Sequence, residues 1–516
     1  MENPLVLTFD VGTQSARCLL VTKNGEFEDV CQVKYDEPYY SRNPGWAEQR
    51  PDFYYDKLCE MASQITARNK DKLERIIAVT ITTIRDTVLC LDENNKPVRD
   101  IILWLDKRKA DYENPFGKLK ELIFKLVGMG DATKIIYRAS VGNWIMQHQP
   151  DIWAKTAKYV VLPTYLNYKF TGKLVDSTAN MIGHIPFDYK NRSWMKKKDM
   201  TRCICDVPEN KLCDLVPSGE IIGKITNEVS LKTGIPEGLP LIATGSDKGC
   251  ETLGLSVFNS NQAAISFGTT ATIQMAVKDY FEPQKFMPAY PAVPNDMYNP
   301  EIEIYRGFWL LSWFVKEFGA EERIEAQKRG CSPERLLDEY IERVPPGSDG
   351  LLLQPFWTPG IMNPNSLGAV VGFSDFHTHY HFYRAIIEGL DFELYNSLKN
   401  MEKRSKLKID ELFVGGGGAK SDIVCQITAD IFGIPVKRIQ THEACSIGAS
   451  MVAFVANGIF KDYNDAIKHM VREKDVFTPN SENHDTYMTI YKKAYSKIFG
   501  KLEPINKKIM GIYKRR

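Results

Sequence analysis

Two short stretches of the chain end an apolar run in the same way. "FDVGTQSAR" (Phe9–Arg17) and "SFGTTATIQ" (Ser266–Gln274) each close a strand-like segment with Gly-Thr. Glycine lets another backbone or a ligand approach closely, and the N–H groups beside it form an anion-binding concavity. The adjacent hydroxyl adds a donor. A structural hairpin explains either loop alone. Two such loops at equivalent places in a duplicated chain could instead clamp a polyphosphate between Thr13 and Thr269.

Two more stretches carry chemistry. In "FVGGGGAKSDIVCQITADIFGIP" a strand runs into Gly415–Gly418 and a helix is expected from Ala419–Lys420–Ser421. Glycines between strand and helix let a flat ligand lie on the backbone, with the helix N-terminus facing anionic groups. The Walker spacing is absent, and the position far along the chain does not suit a dinucleotide fingerprint. A tight strand–helix crossing is the plainer alternative. "EACSIGASMVAF" reads as a small-residue helix able to pack against this one. In "IATGSDKGCETLG", Asp247 follows a buried-looking strand. Its carboxylate could take a proton from an attacking hydroxyl during phosphoryl transfer, or it could simply cap the next helix.

These loops need elements to hold them. The first ~100 residues read as strands, with "NGEF" as a hairpin signal and "RIIAVTITTI" as a β-branched run. Helical periodicity lies between them, in "PDFYYDKLCEMASQITARNKDKLERI". A helical stretch is expected from ~110 to ~235. A second strand cluster opens at "LPLIATGSD" and "QAAISFGTTATIQMAV" and again gives way to helices. The layout therefore occurs twice, as α/β halves 1–253 and 254–516, with the boundary near Leu253–Ser260. "YFEPQKFMPAYPAVPNDMYNP" reads as an irregular surface excursion, and the tail after ~456 as helical.

With 516 residues the chain is too long for one core. A formal net charge of +1 gives no basic excess for nucleic acid, and no apolar run approaches the ~20 residues of a membrane span. The start lacks a secretory pattern. Eleven scattered cysteines suit free thiols in a reducing cytoplasm, and Cys203, Cys205 and Cys213 lack a fourth ligand at zinc-finger spacing. The basic end "KKIMGIYKRR" reads as a solvated helix terminus.

The order and spacing of many segments carry a resemblance. "FDVGTQSAR", "GWAEQRP", "LDENNKPVRDIILWLDKR", "LPTYLNYKFTGKLVDSTANMIGHIPFD", "IATGSDKG", "AISFGTTATI", "RVPPGSDGLLLQPF" and "VGGGGAKSDIVCQITADIFGIPV" together resemble the FGGY carbohydrate kinases of the actin-like ATPase superfamily. The likeness runs from Leu5 to about Ile459. Phe373 replaces the usual small aliphatic after "GAVVG". The resemblance implies two actin-like (ribonuclease H-like) domains, each a mixed sheet flanked by helices, with a cleft between them. It implies ATP as donor and Mg²⁺ held by Asp10 through water. Gly12, Thr13, Gln14 and Arg17 would meet the phosphates, with Gly268 and Thr269 opposite. Gly416, Gly417 and Gly418 would line the adenosine pocket, and Asp247 would be the general base.

For the acceptor, the informative loop is "TTIRDTVLCLD", with Arg85–Asp86. Xylulose kinases resemble Gln-Met-His-Gly here, glycerol kinases Arg-Glu-Thr-Thr and autoinducer kinases Met-Arg-Glu-Gly. A guanidinium donates and a carboxylate accepts, so the pair could grip a vicinal diol; a surface ion pair is the alternative. Trp46 could pack on a ring or chain edge, and Asp106 could take another hydroxyl. Lys248 follows the base where glycerol kinases resemble Asp-Gln. The expectation is a small sugar or polyol acceptor, without nucleic acid or membrane partners, and a homodimer as in similar families. Autoinducer-type and glycerol-type kinases are the near alternatives. A non-catalytic actin-like assembly protein would share the phosphate loops but would not need Asp247, Arg85 and Asp86 together. An acyl-phosphate kinase should show cationic carboxylate binders instead.

Overall fold

The computed structural model describes residues 3–360 and 363–513. In the first half, β1 (Leu5–Val11) is buried at every position, as a central strand covered on both faces must be. The N–H of Gly12 donates to the Ser15 carbonyl at 3.0 Å and turns the chain into β2 (Ser15–Thr22), opposite which Asp10 pairs in register with Arg17. β3 (Phe27–Lys34) follows across a tight turn in which Gly25 has φ +71°. Helix α1 (Phe53–Arg68) buries Tyr54, Leu58, Met61, Ala62 and Ile65, the three-and-four spacing of one helical face. β4 (Ile76–Thr83), β5 (Ile221–Lys224) and β6 (Pro240–Ile242) complete a six-stranded sheet in the order β3–β2–β1–β4–β6–β5. Helix α2 (Asp247–Gly254) leaves it for the second half.

The second sheet repeats the plan. β7 (Gln262–Phe267), β8 (Ala271–Met275) and β9 (Glu301–Ile304) form an antiparallel meander. Helix α3 (His379–Ser405) crosses the sheet and leads to β10 (Glu411–Gly415), which lies parallel to β7. Helix α4 (Asp422–Phe432), β11 (Val436–Ile439), helix α5 (Ala444–Ala456) and β12 (Glu473–Phe477) follow. The order β9–β8–β7–β10–β11–β12 matches the first sheet, except that the last edge strand here comes after its neighbour in the chain rather than before it. Two mixed sheets flanked by helices, with a cleft between them, agree with the expected fold.

Several local expectations are corrected. The "EACSIGASMVAF" helix, α5, does not pack on α4. It returns to the first sheet, where Met451, Val452 and Phe454 share a core with Val6, Leu19, Val21 and Ala78. Ser450 meets Thr8 through their hydroxyls at 2.7 Å. There α5 crosses α2 so closely that a Cβ on Gly254 would strike the Ala444 carbonyl, and one on Gly448 the Cys250 carbonyl. The helical stretch stops at Thr171, where Gly172 takes a left-handed φ of +70°. Beyond it lie short strands such as Val175–Ser177 against Asp214–Val216, with one helix at Asn227–Thr233. Buried Asp176 organises this region, holding Thr164, Asn167 and Asn180. The tail is helical at 463–470 and 481–512 but contributes edge strand β12 between them. The segment expected as a surface excursion is largely buried: Ala289 and Val293 have no exposure, and Tyr290–Pro291 pairs with Tyr298–Asn299.

Candidate active site

Asp247 is the first residue of α2. Ser246 caps the helix, its hydroxyl accepting from the Gly249 N–H, so the Asp247 carboxylate is released from capping duty. It accepts only the N–H of Lys248, at 2.8 Å, among side-chain and backbone donors of the described residues, and Arg85 Nε lies 3.9 Å away. Burial pushes its pKa up, against the pull of Arg85 and Lys248. A carboxylate raised above its ordinary range at a helix N-terminus suits a general base.

Asp247 borders a cleft of about 740 Å³ between the halves. Thr13 enters its wall from the first Gly-Thr loop, and Thr270 and Thr272 from the second. Thr269 is exposed and Gln14 projects into solvent at the same loops. The Thr13 hydroxyl accepts from the Trp104 indole at 3.0 Å. Gly268 is fixed through its carbonyl, which accepts the Phe308 N–H.

Asp10, the penultimate residue of β1, lies beside Cys445 of α5, whose thiol is 3.6 Å from Asp10 Oδ1 and 3.4 Å from the Asp247 carbonyl. The two aspartates thus flank one thiol. Burial pushes Asp10 up to about 7, with Arg17 opposing and Glu443 and Asp247 adding to the rise. Arg17 itself pairs with Glu443 at 3.2 Å.

Arg85 and Asp86 do not meet each other as a free diol clamp. Arg85 crosses to the second half and binds Glu301 through two nitrogens, at 2.8 and 3.1 Å. Asp86 accepts from the His184 backbone N–H at 3.0 Å and meets its Nδ1 at 2.6 Å. Both still border the cleft. Trp46 and Asp106 do not. The Asp106 carboxylate is already filled by Arg108 Nε at 2.7 Å and the Ala47 N–H at 2.6 Å, and its side chain is 1% exposed. Trp46 stacks under Arg108, 3.9 Å from its ring centre, and against Trp144. Neither residue lines the cleft, so neither is placed to touch an acceptor there.

In the glycine run, Gly416 takes φ +80° with the Phe267 backbone where a Cβ would go. Gly418 faces the Phe308 ring, whereas Gly417 faces open space. A one-turn segment spans Gly418–Lys420, and α4 starts only at Asp422, capped by Ser421.

The N-terminal domain model of the FGGY family of carbohydrate kinases matches residues 5–254, and the C-terminal domain model matches 263–457. The chain belongs to this family. It is an ATP-dependent carbohydrate kinase. It is 27% identical over 511 residues to a protein of Escherichia coli (strain K12) described as an uncharacterized sugar kinase, YgcE, covering 98% of this chain and 96% of the other. It is 25% identical to a xylulose kinase of Staphylococcus epidermidis, covering 99% and 100%. The structure of a gluconate kinase from Lactobacillus acidophilus superposes with a TM-score of 0.84 at 22% identity, covering 98% and 100%.

Several groups at the centre of this carbohydrate kinase escape sequence reasoning. Glu301, His184, Trp104, Tyr290 and Cys445 all reach it from distant segments. The Arg85–Glu301 pair spans 216 residues, so no local spacing announces it. A weak signal existed for His184, since "MIGHIPFD" sits inside a segment carrying the family likeness. No helix among the described residues is long and apolar enough to cross a membrane.

Proposed function

We propose that this enzyme transfers the γ-phosphoryl group of ATP to a hydroxyl of a small sugar or polyol, with Asp247 as general base. The observation that carries this reading is the uncapped, raised Asp247 carboxylate, opening into a cleft whose far walls are the two phosphate loops. The acceptor hydroxyl gives its proton to Asp247 as its oxygen bonds to the γ-phosphorus. The bond from that phosphorus to the β–γ bridging oxygen breaks, and ADP departs with the electron pair. Positioning and charge stabilisation do most of this work. Gly12, whose N–H is spent on the Ser15 carbonyl, would let the phosphates approach the turn, while the Gly268 N–H and the Thr13 and Thr269 hydroxyls would donate to them. Gly417, open on one side, would take the adenosine face.

The residues present fit a Mg²⁺ ion. Asp10 is 9% exposed and its pKa is raised to about 7, a site where a cation would relieve the cost of the charge. Among the described residues no cluster of three metal-binding side chains exists, which suits an ion that keeps its waters and takes most other ligands from phosphate. Bound there, Mg²⁺ would offset charge between the β- and γ-phosphates.

A non-catalytic assembly role would not need the Asp247 carboxylate opening into this cleft. The deciding experiment is ADP release over glycerol, tetritols, pentuloses, hexuloses, gluconate and the linear autoinducer diketone. One acceptor should raise the rate well above background, and Asp247→Asn should return it there. No stimulation by any acceptor would overturn the kinase reading.

A further inference from the structure

The turn holding Asp86 is built under constraint. Asp86 takes φ +49°, a left-handed conformation costly for a side chain other than glycine. Its neighbour across the turn, Gly183, has φ +146°, and a Cβ there would collide with the Asp86 carboxylate. What this strain achieves is the placement of one imidazole. The Asp86 oxygens hold the His184 N–H and Nδ1, which fixes the ring's orientation. Nε2 has no protein partner among the described residues, and the ring borders the cleft beside Arg85. Strain of this kind persists where the surrounding structure enforces it for a purpose.

The charges around it limit what the site can take. Two cations and one histidine border the inner cleft, and each already has its carboxylate. Arg85 is paired with Glu301, His184 with Asp86, and Lys248 with Glu251 at 2.7 Å. Lys190 also borders the cleft, exposed to solvent. Asp247 and Glu303 add negative charge to the same walls. An acidic acceptor would bring a further carboxylate among groups already balanced or negative.

We propose that His184 is a specificity-determining residue whose Nε2 hydrogen-bonds a hydroxyl of the acceptor, with Asp86 as its positioning residue, and that the acceptor is a neutral open-chain ketose or polyol. The proposal rests on the sugar-kinase reading above and narrows it. Asp86 then acts through His184, and the Arg85–Asp86 sequence pair serves two separate tasks.

The experiment compares neutral acceptors (pentuloses, hexuloses and polyols) with aldonates such as gluconate, in the wild type, His184→Gln and His184→Phe. The neutral class should show the higher kcat/KM. His184→Phe should raise the KM for the neutral acceptor about 10-fold, the range for a hydrogen-bonding partner left unpaired in a buried site, with the KM for ATP within twofold. His184→Gln keeps an amide that can donate or accept near the same place and should recover part of the loss. A thermal unfolding midpoint within a few degrees of wild type checks that both variants are folded. Preference for aldonates overturns the proposal, as does an acceptor KM that His184→Phe leaves unchanged. Turnover of neither class overturns the kinase reading and this proposal with it. Turnover that ignores His184 overturns this proposal alone.

Discussion

Arg85 of the first half and Glu301 of the second are joined by two hydrogen bonds, of 2.8 and 3.1 Å, across the cleft. The third guanidinium nitrogen, Nε, points to Asp247 at 3.9 Å. One side chain therefore ties the cleft wall of the first half, Asp247 on α2 and edge strand β9 of the second sheet. The Tyr290 ring packs against the same guanidinium, 5.6 Å from its centre. A two-pronged pair of this kind fixes geometry as well as charge.

Arg85→Ala and Glu301→Ala should each lower kcat/KM for the acceptor, and the double variant should lose little more than the worse single one. The coupling expected for a contacting charged pair is about 0.5–3 kcal/mol. Additive losses would show that the two side chains act independently. Glu301→Gln should also lower the unfolding midpoint, because it removes the carboxylate that Arg85 grips with two nitrogens.

The fold was legible because its signals are local. Gly-Thr loops closing apolar strands, the β-branched run of β4 and the periodicity of α1 each state their element within a few residues. Candidate residues could be picked out where one side chain stands alone near the end of an apolar strand, as Asp10 and Asp247 do. The site was hidden where function depends on a partner. Asp106 has the right chemistry for a sugar hydroxyl, but Arg108, two residues on, consumes it. Arg85 and Asp86 are adjacent in sequence yet face Glu301 and His184, because an Asp86 φ of +49° turns the chain between their two tasks. The return of α5 to the first sheet is a long-range packing choice. Small residues permit it without naming the surface they meet.

Asp10 and Asp247 are both held above the ordinary carboxylate range, chiefly by burial. The folded chain then binds their protons more tightly than the unfolded chain does, so stability falls as pH rises through that range. For Asp10 the window runs from about 4 to about 7. Asp10→Asn should therefore raise the unfolding midpoint near pH 8 by about 1–4 °C, in chelator and without nucleotide, while abolishing activity. The gain should shrink as the pH is lowered toward 5. A gain of the same size at every pH would remove the buried charge as its cause.

Asp247→Asn should lower kcat by about 100-fold or more, the scale of a lost general base, and leave ATP binding within a few-fold of wild type by calorimetry. In the wild type, activity should be lost as pH falls through the raised pKa of Asp247, because only the ionised form accepts the proton. An acid limb in the ordinary range of exposed carboxylates would separate Asp247 from the rate-limiting proton transfer.

Two neighbouring glycines of the proposed adenosine loop should respond in opposite ways. Gly416 has φ +80° and the Phe267 backbone fills its Cβ position, so Gly416→Ala must strain or displace β7 against β10 and should lower the unfolding midpoint. Gly417 has an ordinary φ of −64° and open space beyond its Cα. Gly417→Val should leave the midpoint nearly unchanged yet raise the KM for ATP about 10-fold or more, the cost of a clash worth about 1.4 kcal/mol, with acceptor KM little altered. Melting curves and initial rates at varied ATP read both effects. If Gly417→Val leaves the ATP KM untouched, the adenosine face lies elsewhere; if it instead melts the domain, the open space beside Gly417 belongs to the fold and not to the nucleotide.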